Sequence, residues 1–188
     1  IAISKTVEKY VNENYKRYLK HETRLIYRGS DETYFNDRFQ PSEKYIKNFF
    51  DTFPNLKNKK ILCFPGRLSS WKGQEAFIKL ISELSEDYSG LIVGPYESAK
   101  PKYLNNLKKL IEDYRLKNRV NFYNAKDDIR EIYWLSNIVL NLSIKPEPFG
   151  RTILEAAMMG KKIIGWDRGG PGEVLDMCFP QGKVDFND

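Results

Sequence analysis

Four side chains in this sequence have the types and spacing to do chemistry: Arg67, Lys72, Glu147 and Glu155. Arg67 and Lys72 lie in ILCFPGRLSSWKGQEAF, residues 61–77, where an apolar run ends in Gly66, a polar turn follows, and a helical pattern begins after Gly73. The start of a helix presents unpaired N–H groups and a positive dipole end, which suit a phosphate. An arginine adds a planar fork of donors and a lysine a point charge. The spacing is neither GxxxxGK[ST] nor GxGxxG. Taken alone, two basic residues beside a loop are ordinarily solvated surface charge.

The two glutamates stand eight residues apart in NLSIKPEPFGRTILEAAMMGKKIIGWDRGGPGEV, residues 141–174. Glu147 falls in the loop after an apolar run, and Pro148 is suited to open the helix that follows. Phe149, Gly150 and Arg151 bring backbone N–H groups to the mouth of that loop, and the glycine permits a ligand to approach closely. Glu155 is expected one to two turns into the helix. Carboxylates so placed accept hydrogen bonds from sugar hydroxyls and can grip two parts of an extended ligand. A plain reading stands beside this one: Glu155 follows Arg151 by four residues, the spacing of an ordinary helix-surface pair, and Glu147 would compensate a helix dipole. Trp166–Gly172 reads as a third, glycine-rich loop leading into Glu173, or simply as a turn. Tyr123–Lys126 is a loop able to offer backbone contacts to a flat base.

These residues need a frame to bring them together, and the sequence supplies one. Apolar runs at Ile61–Phe64, Leu91–Val93, Val120–Tyr123, Ile138–Leu142 and Lys162–Gly165 alternate with segments of helical period. The intervening helices carry apolar faces: Phe77, Leu80, Ile81 and Leu84; Tyr103, Leu104, Leu107, Leu110, Ile111 and Tyr114; Ile129, Ile132 and Tyr133; Ile153, Leu154, Ala157 and Met158. A further strand is expected near Lys183–Phe186. Alternation of this kind predicts crossover connections and a parallel sheet covered on both faces, a doubly wound α/β domain. Such sheets bind ligands beyond the carboxyl ends of their strands, where the loops holding the four residues lie.

Residues 1–60 read differently. Val7, Tyr10, Val11, Tyr15, Tyr18 and Leu19 fit an amphipathic helix. Leu25–Tyr27 is a short strand candidate, Arg28–Asp37 a polar loop, Ser42–Phe50 a helix, and Thr52–Lys60 a linker into the main domain. His21, the lone histidine, is expected on the surface of a helix-like stretch, so a histidine triad is hard to build here. Cys63 and Cys178 each sit in an apolar run and read as buried, reduced thiols without zinc spacing, which favours a cytoplasmic setting.

The net charge of +6 is uneven: residues 1–60 hold 13 Lys/Arg against 8 Asp/Glu, and residues 61–188 hold 18 against 17. A near-neutral main domain argues against nucleic acid as a partner. The basic front end reads as solvated charge, with peripheral contact at an anionic membrane surface as the alternative. No run approaches the roughly 20 apolar residues that span a bilayer, and IAISKTVEKY has no apolar core of a signal peptide. The chain starts with Ile, as a piece cut from something longer would.

With these motifs in order, the chain resembles the C-terminal domain of family 4 glycosyltransferases, a large retaining group with the two-Rossmann-domain (GT-B) fold. The resemblance is carried by GRLSSWKG at 66–73, LIVGPYE at 91–97, RVNFYNA at 119–125, EPFGRTILEAAMMGKKIIG at 147–165 and GGPGEV at 169–174. The EPFG block, with seven residues between its two glutamates, is its most specific part. The resemblance implies that residues 61–188 are a Rossmann-like, nucleotide-sugar-binding domain, truncated before its closing helix. It implies that residues 1–60 are the tail of an N-terminal domain and the interdomain segment, with a turn at Arg28–Asp31. The rest of that domain, which would bind the acceptor, is missing. By the same resemblance, Arg67 and Lys72 hold the diphosphate of a nucleotide-diphosphate-sugar as it leaves. Gly66, in the loop of Arg67 and Lys72, is a substrate-binding position, Glu147 binds hydroxyls of the transferred sugar, and Phe149, Gly150 and Arg151 offer N–H groups. Glu155 binds the ribose. No metal or other cofactor is implied, and the acceptor, whether glycan, lipid or small molecule, stays open. The chain is then expected to bind donor without transferring sugar by itself.

Three other readings compete. One is a nucleotide-sugar epimerase or similar GT-B relative with the same donor clamp. Another is a non-catalytic, flavodoxin-like nucleotide-binding module, for which Ser69 and Ser70 make a thin phosphate loop. The third is a basic interaction domain, disfavoured by the neutral main domain.

Overall fold

A computed structural model of the chain describes residues 1–96, 100–124 and 128–186. Glu97 at the end of LIVGPYE, and Ala125 and Lys126 of the loop after Tyr123, lie outside the described residues. The strands are β1 (Lys60–Pro65), β2 (Tyr88–Val93), β3 (Val120–Tyr123), β4 (Ile138–Asn141), β5 (Lys162–Trp166) and β6 (Lys183–Val184). They form one sheet in the order β3-β2-β1-β4-β5-β6, with every pairing parallel. The helices are α1 (Lys5–Tyr15), α2 (Glu43–Thr52), α3 (Gln74–Glu83), α4 (Pro101–Asp113), α5 (Ile129–Leu135), α6 (Arg151–Met158) and α7 (Gly169–Cys178).

The alternation along β1 explains the layering. Ile61 and Cys63 enter one core with Phe49 of α2, Ile132 and Tyr133 of α5, Ile153 of α6 and Val174 of α7. Leu62 and Phe64 enter the other, with Phe77, Ile78 and Ile81 of α3 and Leu107 and Ile111 of α4. Successive side chains of a strand point to opposite faces, so a strand buried on both sides must be apolar throughout, as Ile61–Phe64 is. Beyond β1 the chain runs to β2 and β3 on one side, and to β4, β5 and β6 on the other. The order reverses between β1 and β4, and a crevice opens there at the carboxyl ends of the strands.

The front of the chain and two loops differ from the sequence reading. α1 ends at Tyr15, a single 3-10 turn covers Lys16–Tyr18, and no residue of either is buried. Tyr10, Tyr15, Tyr18 and Leu19 are exposed, whereas Val7 and Val11 are half-buried, so the apolar stripe of this helix is covered only in part. His21 is exposed but stands past the helix, in a bend. Leu25–Tyr27 forms one isolated parallel bridge, Leu25 to Ala2, instead of a strand. Within Thr52–Lys60 a 3-10 turn at Pro54–Leu56 buries Leu56 fully. Cys63 is buried, and loss of solvent pushes its thiol up to about 12, whereas Cys178, at the end of α7, is exposed. Trp166–Gly172 is only in part a loop: α7 begins at Gly169, so its glycines form the first turn of a helix. Among the described residues, no helix is long and apolar enough to cross a membrane.

Candidate functional site

The loop between β1 and α3 is built by its own backbone. Lys72 N–H donates to the Ser69 carbonyl at 2.9 Å, closing a turn. The buried Gln74 side chain donates to the Arg67 carbonyl at 2.9 Å and accepts from the Tyr103 hydroxyl at 3.1 Å, which fixes the path of the loop from inside. Gly73 caps α3 with φ +93°, and a Cβ there would meet the Leu142 carbonyl oxygen at 2.1 Å. The loop after β4 therefore lies directly against it, and Ile144 N–H donates to the Trp71 carbonyl at 2.8 Å. The two loops at the reversal point are one unit.

That contact brings Lys72 to Glu147. Its ammonium stands 2.7 Å from Glu147 Oε2 and 4.5 Å from the centre of the Trp71 ring, with the two side chains only 16% and 13% exposed. Glu147 Oε1 accepts from Asn141 Nδ2 at 3.1 Å and from the Ser143 hydroxyl. Burial pushes the Glu147 carboxyl up, but the hydrogen bonds from Lys72 and Ser143, the Lys72 charge and Asn141 together outweigh it and hold the group below its ordinary value. The carboxylate is charged, half enclosed and oriented by three donors.

α6 begins at Arg151, not at Pro148 as the proline suggested. Gly150 is the cap, at φ +99°, and a Cβ there would press on Pro171 at 2.9 Å. Pro148 is left in the loop, where its carbonyl accepts from the Ser4 hydroxyl at 2.5 Å. No side chain caps α6, so its first-turn N–H groups and dipole end are open to an anion. One turn in, Glu155 accepts from Tyr133 Oη at 3.2 Å on Oε2 and from Arg151 Nη2 at 2.9 Å on Oε1. The Arg151 side chain is 64% exposed and that of Glu155 8%. An exposed i,i+4 pair contributes about 0.2–0.5 kcal/mol, and a hydrogen bond to a charged group about 1.5–3 kcal/mol. Both contacts are hydrogen bonds to the charged carboxylate, Tyr133 reaching it from the buried core and Arg151 from the exposed face.

These side chains enclose a cavity of about 410 Å³ lined by Arg67, Lys72, Glu147, Arg151, Thr152 and Glu155. Larger hollows exist, about 700 Å³ beside Glu32 and Met158 and about 610 Å³ beside His21, but they lie away from the reversal point. Ligand sites are marked by convergent polar groups as well as size, and here the smaller cavity holds them. Lys72 and Glu155 share one cavity at the carboxyl ends of the strands, although α3 and α6 pack on opposite faces of the sheet. Gly66, Phe149 and Gly150 do not line it. The Phe149 side chain is buried in the core with Ile153, so that residue reaches the site only through its backbone.

Sequence reasoning passed over Asn141, Ser143 and Thr152, which surround Glu147 and α6, and Gln74, which holds the Arg67 loop. Their signal was faint: short polar residues at strand ends and loop edges are common. Tyr133 was read as part of an apolar helix face, which it is; only the structure shows its hydroxyl meeting Glu155. Glu173, at the end of the glycine-rich stretch, stands apart from the cavity. It accepts from the Lys5 and Thr6 backbone N–H groups at 2.8 and 2.7 Å and so caps α1.

A parallel sheet in this order, with a basic pair, two glutamates and an open helix end at its reversal point, defines the Rossmann-like domain of the GT-B glycosyltransferases. The family model for glycosyl transferases group 1 matches residues 46–182, and the chain belongs to that family. An uncharacterized glycosyltransferase of Methanocaldococcus jannaschii is 32% identical over 182 residues, 93% of this chain and 42% of that protein. The spore coat protein SA of Bacillus subtilis is 26% identical over 84% of this chain and 43% of its own length. The chain thus spans under half the length of these relatives. Among solved structures, a glycosyltransferase from Rickettsia africae superposes with a TM-score of 0.87 at 29% identity, over all of this chain and 49% of that one. Anabaena HepE, solved in complex with UDP-glucose, gives a TM-score of 0.79 at 26% identity over 92% of this chain and 46% of that one.

Proposed function

We propose that the cavity binds a nucleotide-diphosphate-sugar, and that the chain is the donor-binding part of a retaining glycosyltransferase resembling family 4. The observation that carries this reading is the meeting of Arg67, Lys72, Glu147 and Glu155 around one cavity at the reversal point of the sheet. The likeness to Anabaena HepE, whose structure holds UDP-glucose, supports it.

In this reading the diphosphate lies between Arg67, Lys72 and the open end of α6. Gly66 leaves the loop free of side-chain bulk there, and the N–H groups of Phe149, Gly150 and Arg151 complete the cradle. Charge that builds on the departing diphosphate is met by donors already in position, which is where electrostatic catalysis acts. That arrangement takes the place a metal ion would fill. Glu147, ionised and held by Ser143 and Asn141, accepts from hydroxyls of the transferred sugar. Glu155 accepts from the ribose. Residues 61–188 form the donor domain in this scheme. Residues 1–60 link it to an acceptor-binding domain supplied by further polypeptide, for an acceptor that is a glycan, a lipid or a small molecule. The setting is cytoplasmic, with the basic front end available to an anionic membrane face.

The test is calorimetric titration of the chain with UDP-, GDP- and ADP-sugars, beside Lys72→Ala and Glu155→Ala. One nucleotide series binds, and each substitution weakens it about tenfold or more, equivalent to about 1.4 kcal/mol. Failure of all three to bind the folded protein would remove the donor reading. Stereochemistry is read by NMR on the product of the complete enzyme, and an inverted product would remove the retaining assignment.

A further inference from the structure

Tyr133 has no place on the cavity wall, yet its hydroxyl reaches the site through Glu155. The ring is fully buried in the core cluster that also holds Ile153 and Ala156 of α6. A buried phenol needs a partner for its O–H, and Tyr133 Oη donates to Glu155 Oε2 at 3.2 Å. Burial, and then the nearby Glu155 charge, push the phenol well above its ordinary value, so it stays a donor through neutral pH.

The two oxygens of Glu155 are held unequally. Oε2 is held from the core by a side chain that cannot leave without opening the packing of α5 on α6. Oε1 is held by Arg151, a long and largely exposed side chain that itself lines the cavity. A ligand hydroxyl entering the cavity can replace Arg151 on Oε1 and leave Tyr133 undisturbed.

We infer that Tyr133 is a positioning residue. Its hydroxyl locks the Glu155 carboxylate so that Oε1 is turned to the cavity and accepts a ribose hydroxyl of the donor. This rests on the reading of the cavity as a nucleotide-sugar site. It adds a residue that touches no ligand and acts only through Glu155.

The experiment compares a ribonucleotide with one lacking the hydroxyls concerned. UDP, GDP and ADP are titrated into the wild-type chain, and the tightest binder is paired with its 2′,3′-dideoxy form. Wild type prefers the ribonucleotide. Glu155→Ala abolishes most of that preference. Tyr133→Phe, which keeps the ring, weakens ribonucleotide binding about tenfold and leaves dideoxynucleotide binding within about twofold, a pattern that general loosening of the core does not produce. In the Glu155→Ala background, Tyr133→Phe has no further effect on binding. Should Tyr133→Phe not fold, the wild-type protein still decides the matter by NMR: the slowly exchanging Tyr133 hydroxyl proton persists when nucleotide is added, while the Arg151 guanidinium resonances shift.

If Glu155→Ala keeps the full ribose preference, the ribose role of Glu155 is wrong and the inference goes with it. If Glu155→Ala loses the preference but Tyr133→Phe retains it, the inference alone is wrong. Loss of the hydroxyl resonance on ligand addition likewise overturns it, and failure of all three nucleotides to bind removes both.

Discussion

Lys72 and Glu147 form a 2.7 Å ion pair between two loops that are 75 residues apart in sequence and adjacent at the crevice of the sheet. Neither loop positions its charge alone. The Gly73–Leu142 contact and the Trp71–Ile144 hydrogen bond bring the lysine to the glutamate. Removing one member of so enclosed a pair leaves the other partly desolvated and unpaired. Lys72→Met should cost about 1–3 kcal/mol of stability at neutral pH, while the double change Lys72→Met, Glu147→Gln costs less than the sum of the two single ones. Urea unfolding of the four proteins measures this, and strict additivity would mean that the pair contributes nothing.

The same pair sets a pH dependence. The Glu147 carboxyl titrates below its ordinary value in the folded chain, so the unfolded chain binds that proton more tightly. Its contribution is fully present above the ordinary carboxylate value of about 4.3, and is lost as the pH falls through the lower, folded value. Wild-type stability should therefore drop between about pH 5 and 3 more steeply than that of Glu147→Gln. Melting curves across that range, at constant ionic strength, check the difference in slope.

Gly73 offers a backbone test of the site. Its φ of +93° alone makes a side chain costly, by about 1–2 kcal/mol, and the carbonyl of Leu142 occupies the place of a Cβ. Gly73→Ala should destabilise the fold by more than that figure and separate the two loops, weakening anion binding as much as Lys72→Ala does. Gly29, with nothing within 4 Å of its Cβ position, is the control: Gly29→Ala should stay within about 0.5 kcal/mol of wild type.

What the sequence disclosed, and what it withheld, follows from the range of the interactions. Ile61–Phe64 and Ile138–Leu142 were legible as strands because burial on both faces demands continuous apolar runs. Arg67, Lys72, Glu147 and Glu155 were legible as a set because loops at strand ends are where such folds place ligands, and the family resemblance selected among the loops. The start of α7 was not legible. Gly169–Gly172 looks like a turn in isolation, whereas Gly170 is there because a Cβ would lie 2.3 Å from the Phe149 backbone. α1 had the opposite fault: its amphipathic spacing is real, but spacing does not say how far a face is covered, and here only Val7 and Val11 are half-buried while the tyrosines stay exposed. Ser143, Asn141 and Tyr133 gave no local sign, since each matters through a partner that only the folded loops bring near.

Glu173 gives a prediction away from the cavity. Its carboxylate receives the N–H groups of Lys5 and Thr6, the Thr6 hydroxyl at 2.7 Å and the Tyr27 hydroxyl at 3.2 Å. It thereby ties the first turn of α1 to α7. Loss of a helix cap costs about 0.5–2 kcal/mol. Glu173→Ala should raise hydrogen exchange of the α1 amides and leave those of β1 unchanged. Faster exchange throughout the sheet would mean that α1 docking supports the core and is not a local tie.

Nucleotide binding should also move a proton. A diphosphate entering between Arg67 and Lys72 competes with Glu147 for the lysine. The carboxylate then loses the partner that, with Ser143, outweighs its burial, and its affinity for a proton rises. A nucleoside diphosphate without sugar should therefore bind with proton uptake at Glu147, set against release from its own terminal phosphate, which ionises at about pH 6. The matching nucleotide-sugar should take up less, because its hydroxyls donate to Glu147 in the lysine's stead. Calorimetry in two buffers of different ionisation enthalpy reads the uptake directly. The part due to Glu147 is the difference between wild type and Glu147→Gln with the same ligand; no difference would assign the proton to another group, and would leave the exchange of Lys72 between carboxylate and phosphate without support.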